Sequence, residues 1–505
     1  MEFIRVRDGW NFETEQSHAR FIPFGGHLVF HYAGDPQGLS LSLLTQTNWD
    51  PDTIRKAFEG AASANMNVMK VFLTSSAALT SDQTTDTIHF APMTPPLLER
   101  LDQLFQIAHD TNVYVVLTLA EWGMWANTWF QEGGTFFGRQ PEDGPGPDSF
   151  AVLRNFWRAM AERYQNEPAL FAYNLAVEYY IPGGNWGAQK STDLWYLFND
   201  RWGLPAWRTW VMDKYGSLEN INDAWGVTYS VPEQIEQPEI VASGAAYTQP
   251  QAMIADYNSF KEWVSYRFLR NQADAIHAVD RRHMITCGLH PSHPAIEWAG
   301  AAMYHAGLPA REMDFVDYTT LHVYTQPSDE RHGQGPYTQA LHSAILTARW
   351  SYYAGKPVVA EEIGHLVDDP QESLTQTIAL VQALVGHVAG FQLWLISDTT
   401  DTLPLYGPLG TDLTLNDWGR EWKKLAEPGG IVAELPTART PAQTVLNLER
   451  LNGMCPVAQT ETMQVLWNWD QYLHPIDYDW PRNPQIRQWR GGLSGADPAR
   501  WMALR

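Results

Sequence analysis

Two apolar runs in this chain stop at carboxylates. Lys356–Gly364 reads Lys-Pro-Val-Val-Ala-Glu-Glu-Ile-Gly and halts at Glu361 and Glu362, and Leu170–Glu178 reads Leu-Phe-Ala-Tyr-Asn-Leu-Ala-Val-Glu and halts at Glu178. Short apolar runs bounded by Pro or Gly read as strands buried on both faces, the parallel-sheet type. An acid at the end of such a strand is costly unless it is solvated, paired or put to use. In a parallel barrel that end is the rim on which active sites are built. Two carboxylates meeting across such a rim would suit cleavage of a glycosidic bond. One donates a proton to the leaving oxygen and the other attacks the anomeric carbon, with a separation of ~5 to 5.5 Å giving retention. Neighbouring groups must hold the two pKa values apart, raising that of the donor.

The elements that would position these acids alternate along the chain. Strands are expected at about 22–30, Asn67–Thr74, Val113–Ala120, Leu170–Glu178, Met284–His290, Phe315–His322, Val358–Glu361 and Gly390–Ile396. Helix-like stretches separate them at 50–65, 94–110, 148–165, 337–354 and 371–388. Asp-Pro-Asp at 50–52 and Thr-Pro-Pro at 94–96 are N-terminal helix signals. Eight alternating units predict an α/β chain folded as a (β/α)8 TIM barrel. The competing open doubly wound sheet usually carries a Gly-rich phosphate loop after its first strand, and none is read here. Long loops interrupt the rhythm after the third strand (Glu121–Pro147) and the fourth (Tyr179–Pro250). Such loops usually shape a substrate site. The pattern becomes irregular near residue 430, so residues 1–430 are expected to form the catalytic barrel and 431–505 a small extension packing on it.

Strands four and seven lie on opposite sides of an eight-stranded ring, which sets Glu178 and Glu362 facing each other. Four motifs at strand ends resemble those of glycoside hydrolase clan A, and within it family 5, the cellulase and mannanase family. Lys-Pro-Val-Val-Ala-Glu-Glu-Ile-Gly is similar to that family's nucleophile strand, which makes Glu362 the nucleophile and Glu361 its structural neighbour. Tyr-Asn-Leu-Ala-Val-Glu is similar to its acid/base strand, making Glu178 the proton donor. Leu-His-Val-Tyr matches the clan's His-x-Tyr, giving His322 and Tyr324, the latter a hydrogen-bond donor to the nucleophile, and Trp394 matches the last-strand Trp that floors a sugar subsite. The likeness spans roughly residues 12–425. Three positions depart from it: Val177 stands where the residue before the acid/base is usually Asn, Ala120 followed by Glu121 and Trp122 stands where His is usual, and Lys70 stands for Arg. The sugar's 2- and 3-hydroxyls are then held differently, or the substrate differs at those carbons. Lys214–Gly226, Lys-Tyr-Gly-Ser-Leu-Glu-Asn-Ile-Asn-Asp-Ala-Trp-Gly, is similar to a segment of family 42 β-galactosidases.

The expected activity is therefore a retaining β-glycosidase acting on β-mannosides or β-glucosides at the non-reducing end. A β-galactosidase of the same clan is the alternative, and a barrel that binds sugar without cleaving it is the rival from another class. Lys70, Glu121, Trp122, His290, His322, Tyr324 and Trp394 are the expected substrate contacts. Plainer roles stand beside several of these: His322 as a core histidine, Trp394 as packing, and Glu362 as the ion-pair partner of a nearby Arg or Lys. His290 and His293 in His-Pro-Ser-His lack a third ligand, so neither metal nor cofactor is expected. A net charge of −23 argues against nucleic acid and anionic membrane as partners. The 23 Trp include Trp122, Trp125, Trp129, Trp186 and Trp480 in polar stretches, where flat rings suit sugar faces. Two cysteines, Cys287 and Cys455, make no disulfide framework. No basic-then-apolar leader is read at Met1–Asp8 and no run of ~18 apolar residues occurs, which together lead to an expected cytoplasmic location.

Overall fold

The computed structural model describes residues 1–29, 43–46, 48–73, 80–82, 87–89, 95–119, 149–176, 203–236, 250–288, 314–325, 355–365, 367, 369–398 and 406–438. Its strands are β1 (Ile4–Val6), β2 (Phe12–Thr14), β3 (Arg20–Phe21), β4 (Phe24–His27), β5 (Val68–Leu73), β6 (Thr80–Asp82), β7 (Thr87–His89), β8 (Tyr114–Leu119), β9 (Leu170–Asn174), β10 (Met284–Thr286), β11 (Thr319–Thr325), β12 (Val358–His365) and β13 (Gly390–Leu393). Its α-helices are α1 (Pro51–Ser63), α2 (Pro95–Thr111), α3 (Ser149–Tyr164), α4 (Gly203–Tyr215), α5 (Leu218–Trp225), α6 (Gln251–His277), α7 (Pro370–Leu384) and α8 (Asp417–Lys424).

Eight of the strands pair in parallel in the order β10-β9-β8-β5-β4-β13-β12-β11. This is the expected (β/α)8 barrel. The backbone ladder runs around seven joints. At the eighth, between β10 and β11, side chains take part in the closure. The Asp317 N–H donates to the Ile285 carbonyl (2.8 Å), while the Asp317 carboxylate accepts from the Ile285 N–H (2.7 Å). The Thr286 hydroxyl donates to the Tyr318 carbonyl and the Thr320 hydroxyl to the Cys287 carbonyl. Each strand-end polar group thus substitutes for a ladder bond that a buried edge could not leave unmade.

The helices follow from local chemistry. In α1, Asp50 caps the first turn by accepting from the amides of Asp52 and Thr53, and Pro51 occupies the first helical position, where its missing N–H costs nothing. Ile54, Ala57, Phe58 and Ala61 recur at helical spacing and are the residues it buries. Asp369 with Pro370 starts α7 in the same way. Close packing between strands demands glycine at Gly25, where a Cβ would sit 1.7 Å from the Val68 carbonyl oxygen.

One end of the ring is plugged. The hairpin β1–β3 sets Ile4 and Phe12 against Val68, Val116, Met284, Tyr318 and Val359. The Phe12 ring lies 5.4 Å from that of Tyr318 and 5.7 Å from that of Phe171. Residues 435–437 return to this hairpin: the Trp10 indole donates to the Pro436 carbonyl, Asn11 to Thr437 and Arg20 to Leu435 and Pro436. Residues 439–505 of the expected extension lie outside the described residues.

Strand limits differ from expectation at several places, β9 ending at Asn174 and β13 at Leu393 among them. β12 continues to His365 instead of stopping at Glu361, because partners in the barrel compensate its acids. β11 begins four residues later than expected, at Thr319, and runs on to Thr325. β10 ends at Thr286. The long stretch after β9 is largely helical where described. The segment 214–226 is the end of α4, a turn capped by Ser217, and α5, closed by Gly226 at φ 68°. Lys214, the Tyr215 hydroxyl (2.7 Å) and the Trp225 indole (2.8 Å) converge on buried Asp256 of α6. Trp207 stacks on Trp210 and Trp225 at 5.8 and 5.9 Å, so these indoles are the core of the insertion. Trp122, Trp125, Trp129, Trp186 and Trp480 lie outside the described residues.

Removing Asp256 would strand three donors, the buried Trp225 indole among them. Asp256→Ala should lower unfolding stability by about 3 kcal/mol, read as a shift of the urea midpoint. Asp256→Asn, which keeps one acceptor, should cost less.

Candidate active site

The plugged end is apolar and the opposite end is not. His27 ends β4, Lys70 lies in β5, Asn174 ends β9, His322 and Tyr324 lie in β11, and Glu361 and Glu362 lie in β12. All but Tyr324 are buried. They meet because β12 carries an irregularity. Its register with β11 passes from Leu321↔Ala360 to His322↔Glu362, and with β13 from Ala360↔Phe391 to Ile363↔Leu393. One residue of β12 is therefore extra on both sides, a β-bulge. In a regular strand two successive side chains would point to opposite faces. Here both carboxylates lie beside the same two bases.

Lys70 Nζ is 3.2 Å from Glu361 Oε1 and 3.8 Å from Glu362 Oε1. His322 Nε2 is 3.4 Å from Glu361 Oε2, and its Nδ1 is 3.2 Å from Glu362 Oε2. The Asn174 amide donates to Glu361 Oε1 at 2.7 Å. Its carbonyl oxygen accepts from the Gly288 N–H at 3.0 Å, which fixes the amide's orientation. The Tyr324 hydroxyl donates to Glu362 Oε2 at 2.5 Å. His27 Nε2 lies 2.8 Å from the Glu361 carbonyl oxygen, which can only accept, so that nitrogen carries the proton. His27 Nδ1 then faces Glu362 Oε1 at 3.6 Å.

These surroundings divide the charges. Burial pushes the Glu361 carboxyl up, but Lys70, His322 and His27 together outweigh it and hold the group well below the ordinary carboxylate range. Burial, reinforced by the Lys70 charge, holds His27 well below the usual imidazole value, so it is neutral. Burial raises the Cys287 thiol and the Tyr318 hydroxyl, which stay protonated.

Of the site residues expected from sequence, the structure thus gathers Glu362, His322, Tyr324 and Lys70. Trp394 stands one step away, its ring 5.1 Å from that of His27 and 6.0 Å from that of Phe72. Glu178, Glu121, Trp122 and His290 lie outside the described residues, as do Val177, Ala120 and His293. Ala176 is the last described residue before Glu178. The sequence reading missed His27 and Asn174. Each is a polar residue in a run that is otherwise apolar or small, Phe-Gly-Gly-His and Leu-Phe-Ala-Tyr-Asn, and that signal was there to be read. Glu361 was read as structural, and its carboxylate is wholly enclosed by this cluster, 1% exposed.

A family model described as "Beta-galactosidase", that of glycoside hydrolase family 42, matches residues 150–364. That span takes in Glu178, Glu362 and the segment 214–226. The barrel's likeness to glycoside hydrolase clan A holds. Among relatives, the β-galactosidase LacZ of Heyndrickxia coagulans is 23% identical over 331 residues, covering 62% of this chain and 42% of its own. The β-galactosidase BgaP of Planococcus sp. (strain L4) is 26% identical over 179 residues, covering 33% of this chain and 22% of its own. The chain therefore spans less than half the length of each of these relatives. Among solved structures, the cold-adapted β-galactosidase from Rahnella sp. R3 superposes with a TM-score of 0.57 at 15% identity, covering 90% of this chain and 63% of that one. The catalytic domain of the β-amylase from Paenibacillus polymyxa gives a TM-score of 0.54 at 13% identity, covering 82% and 99%. At such identities these two share the barrel fold with this chain.

The Lys70–Glu361 pair sets a pH dependence. A carboxyl depressed in the folded chain contributes stability that is in place above its unfolded pKa of ~4.3 and is lost as pH falls toward the folded value. Lys70→Met leaves burial unopposed by its main compensating charge, so the carboxyl rises and protonation favours the fold. The urea midpoint of wild type should fall on acidification below about pH 4, and that of Lys70→Met should fall less or rise. Parallel acid-side curves for the two proteins would rule this account out.

Proposed function

We propose that the chain is a retaining β-glycosidase in which Glu362 is the nucleophile and Glu178 the proton donor. The observation that carries the reading is the setting of Glu362. This carboxylate stands at the carboxyl end of the seventh barrel strand, with a tyrosine hydroxyl at 2.5 Å, a histidine ring nitrogen at 3.2 Å and a lysine at 3.8 Å. Such partners favour the ionised form that attack on an anomeric carbon requires. Glu178 follows β9, the fourth strand of the ring, by four residues in the sequence, in the place the resemblance gives to the acid/base.

β-Galactosides are the leading substrate class, because the matched family model and the two relatives named above are β-galactosidases. β-Mannosides and β-glucosides, which the family 5 motifs suggest, belong in the same test. Lys70 and Glu361 stand beside Glu362 inside the barrel, and Trp394, next to His27, is read as the ring that stacks on a sugar. Removal of terminal sugars is the expected mode, because long stretches after the third and fourth strands suit a cleft closed at one end. No cofactor enters this chemistry.

A panel of nitrophenyl β-glycosides tests the reading. Turnover is expected on at least one sugar, fastest on the β-galactoside, and should fall on the order of 10⁴-fold or more in both Glu178→Ala and Glu362→Ala. Azide should rescue Glu362→Ala and give an α-glycosyl azide, since it attacks from the face the carboxylate left. Rescue at Glu361→Ala instead would move the nucleophile by one residue. Binding without turnover across the panel would favour the sugar-binding rival.

A further inference from the structure

His322 occupies an unusual electrostatic position. Its two ring nitrogens face two different carboxylates, Nε2 toward Glu361 Oε2 at 3.4 Å and Nδ1 toward Glu362 Oε2 at 3.2 Å. A neutral imidazole has one N–H and one lone pair. Whichever nitrogen gave up its proton would aim that lone pair at a carboxylate oxygen within 3.4 Å, closer than the 3.6 Å at which His27 Nδ1 faces Glu362 Oε1. A charge count leads the same way. From β12 come two acids, Glu361 and Glu362, and from β5 one cation, Lys70. From β4 comes His27, whose N–H is already committed to the Glu361 carbonyl and which burial and Lys70 keep neutral. From β9 comes the neutral Asn174 amide, from the end of β10 the protonated Cys287 thiol, and from β11 itself the Tyr324 hydroxyl. Among the described residues that face these acids, Lys70 and a protonated His322 set two positive charges against the two carboxyl groups.

We propose that His322 is a standing imidazolium that bridges Glu361 and Glu362, and that Glu361 is a positioning residue whose charge keeps the second ring proton in place. The bulge in β12 is what makes this possible, because it brings the second acid to the inner face. His322 and Tyr324 then present two donors to the same oxygen of Glu362. The idea rests on the glycosidase reading only where turnover is measured.

The test uses the full chain with ¹⁵N-labelled histidine, the His322 signals being assigned by their loss in His322→Asn. Long-range ¹H–¹⁵N spectra of wild type should show both His322 nitrogens protonated, and still protonated well above the ordinary imidazole pKa of ~6.5. In Glu361→Gln one nitrogen should lose its proton at a pH at least about one unit lower than in wild type. Glu361→Asp, which keeps the charge, should restore the wild-type pattern. A neutral His322 in wild type at that ordinary pKa or above overturns the proposal, as does an imidazolium that Glu361→Gln leaves unmoved. The wild-type spectrum decides even if the Gln variant does not fold. In turnover, Glu361→Gln should acquire an alkaline limb near ~6.5 that wild type lacks, its rate relative to its own acidic plateau falling about tenfold per pH unit beyond it. A uniform loss at every pH overturns the positioning role. An inactive chain with an imidazolium at His322 would refute the glycosidase reading and leave this one standing.

Discussion

Two carboxyl groups buried side by side in a closed sheet, one of them held well below the ordinary carboxylate range by its neighbours, are the constraint around which this molecule is arranged. Carboxylates taken out of water repel one another and lose their hydration, and only close cations and hydrogen-bond donors offset the cost. The barrel meets that requirement from every side, with Lys70 from the second strand of the ring, Asn174 from the fourth and His322 from the sixth. A fully buried lysine is rare unless paired, and Lys70 is among the largest side chains in the protein with no exposure. Its presence is understood once the acids beside it are counted.

The remaining architecture holds this cluster in place from beneath and around. Beneath it, the hairpin β1–β3 closes the ring with aromatic and aliphatic side chains, and residues 435–437 hold the hairpin. Around it, the capped helices α1 and α7 bury their apolar faces on the strands. Beyond β9, the insertion is a small helical body with its own stacked indoles, tied to α6 through Asp256. The segment that is similar to family 42 is part of that tie. Three of its residues, Lys214, Tyr215 and Trp225, serve a joint between helices.

The barrel was legible because buried parallel strands are written as continuous apolar runs, and helix starts as Asp-Pro or Thr-Pro. The gathering of Glu362, His322, Tyr324 and Lys70 was legible for a related reason: each is a polar residue in or at the end of such a run, at the level of the rim. What the sequence hid is the bulge. Two adjacent acids read by strict alternation as one facing in and one facing out, and nothing in Ala-Glu-Glu-Ile announces the extra residue. Whether two neighbours share a face depends on register against β11 and β13, a property of three strands at once. His27 and Asn174 were hidden differently: their residue types were visible, but their partners are set by closure of the ring, which joins positions hundreds of residues apart.

The joint between β10 and β11 gives the ring an adjustable clasp. Elsewhere the circumference is held by peptide groups, which every residue carries and no ordinary mutation removes. Here Asp317, Thr286 and Thr320 share the work through functional groups that a single codon can delete. Descent can therefore retune how tightly the circle is fastened at this spot, one strand away from the paired acids, without rebuilding any strand.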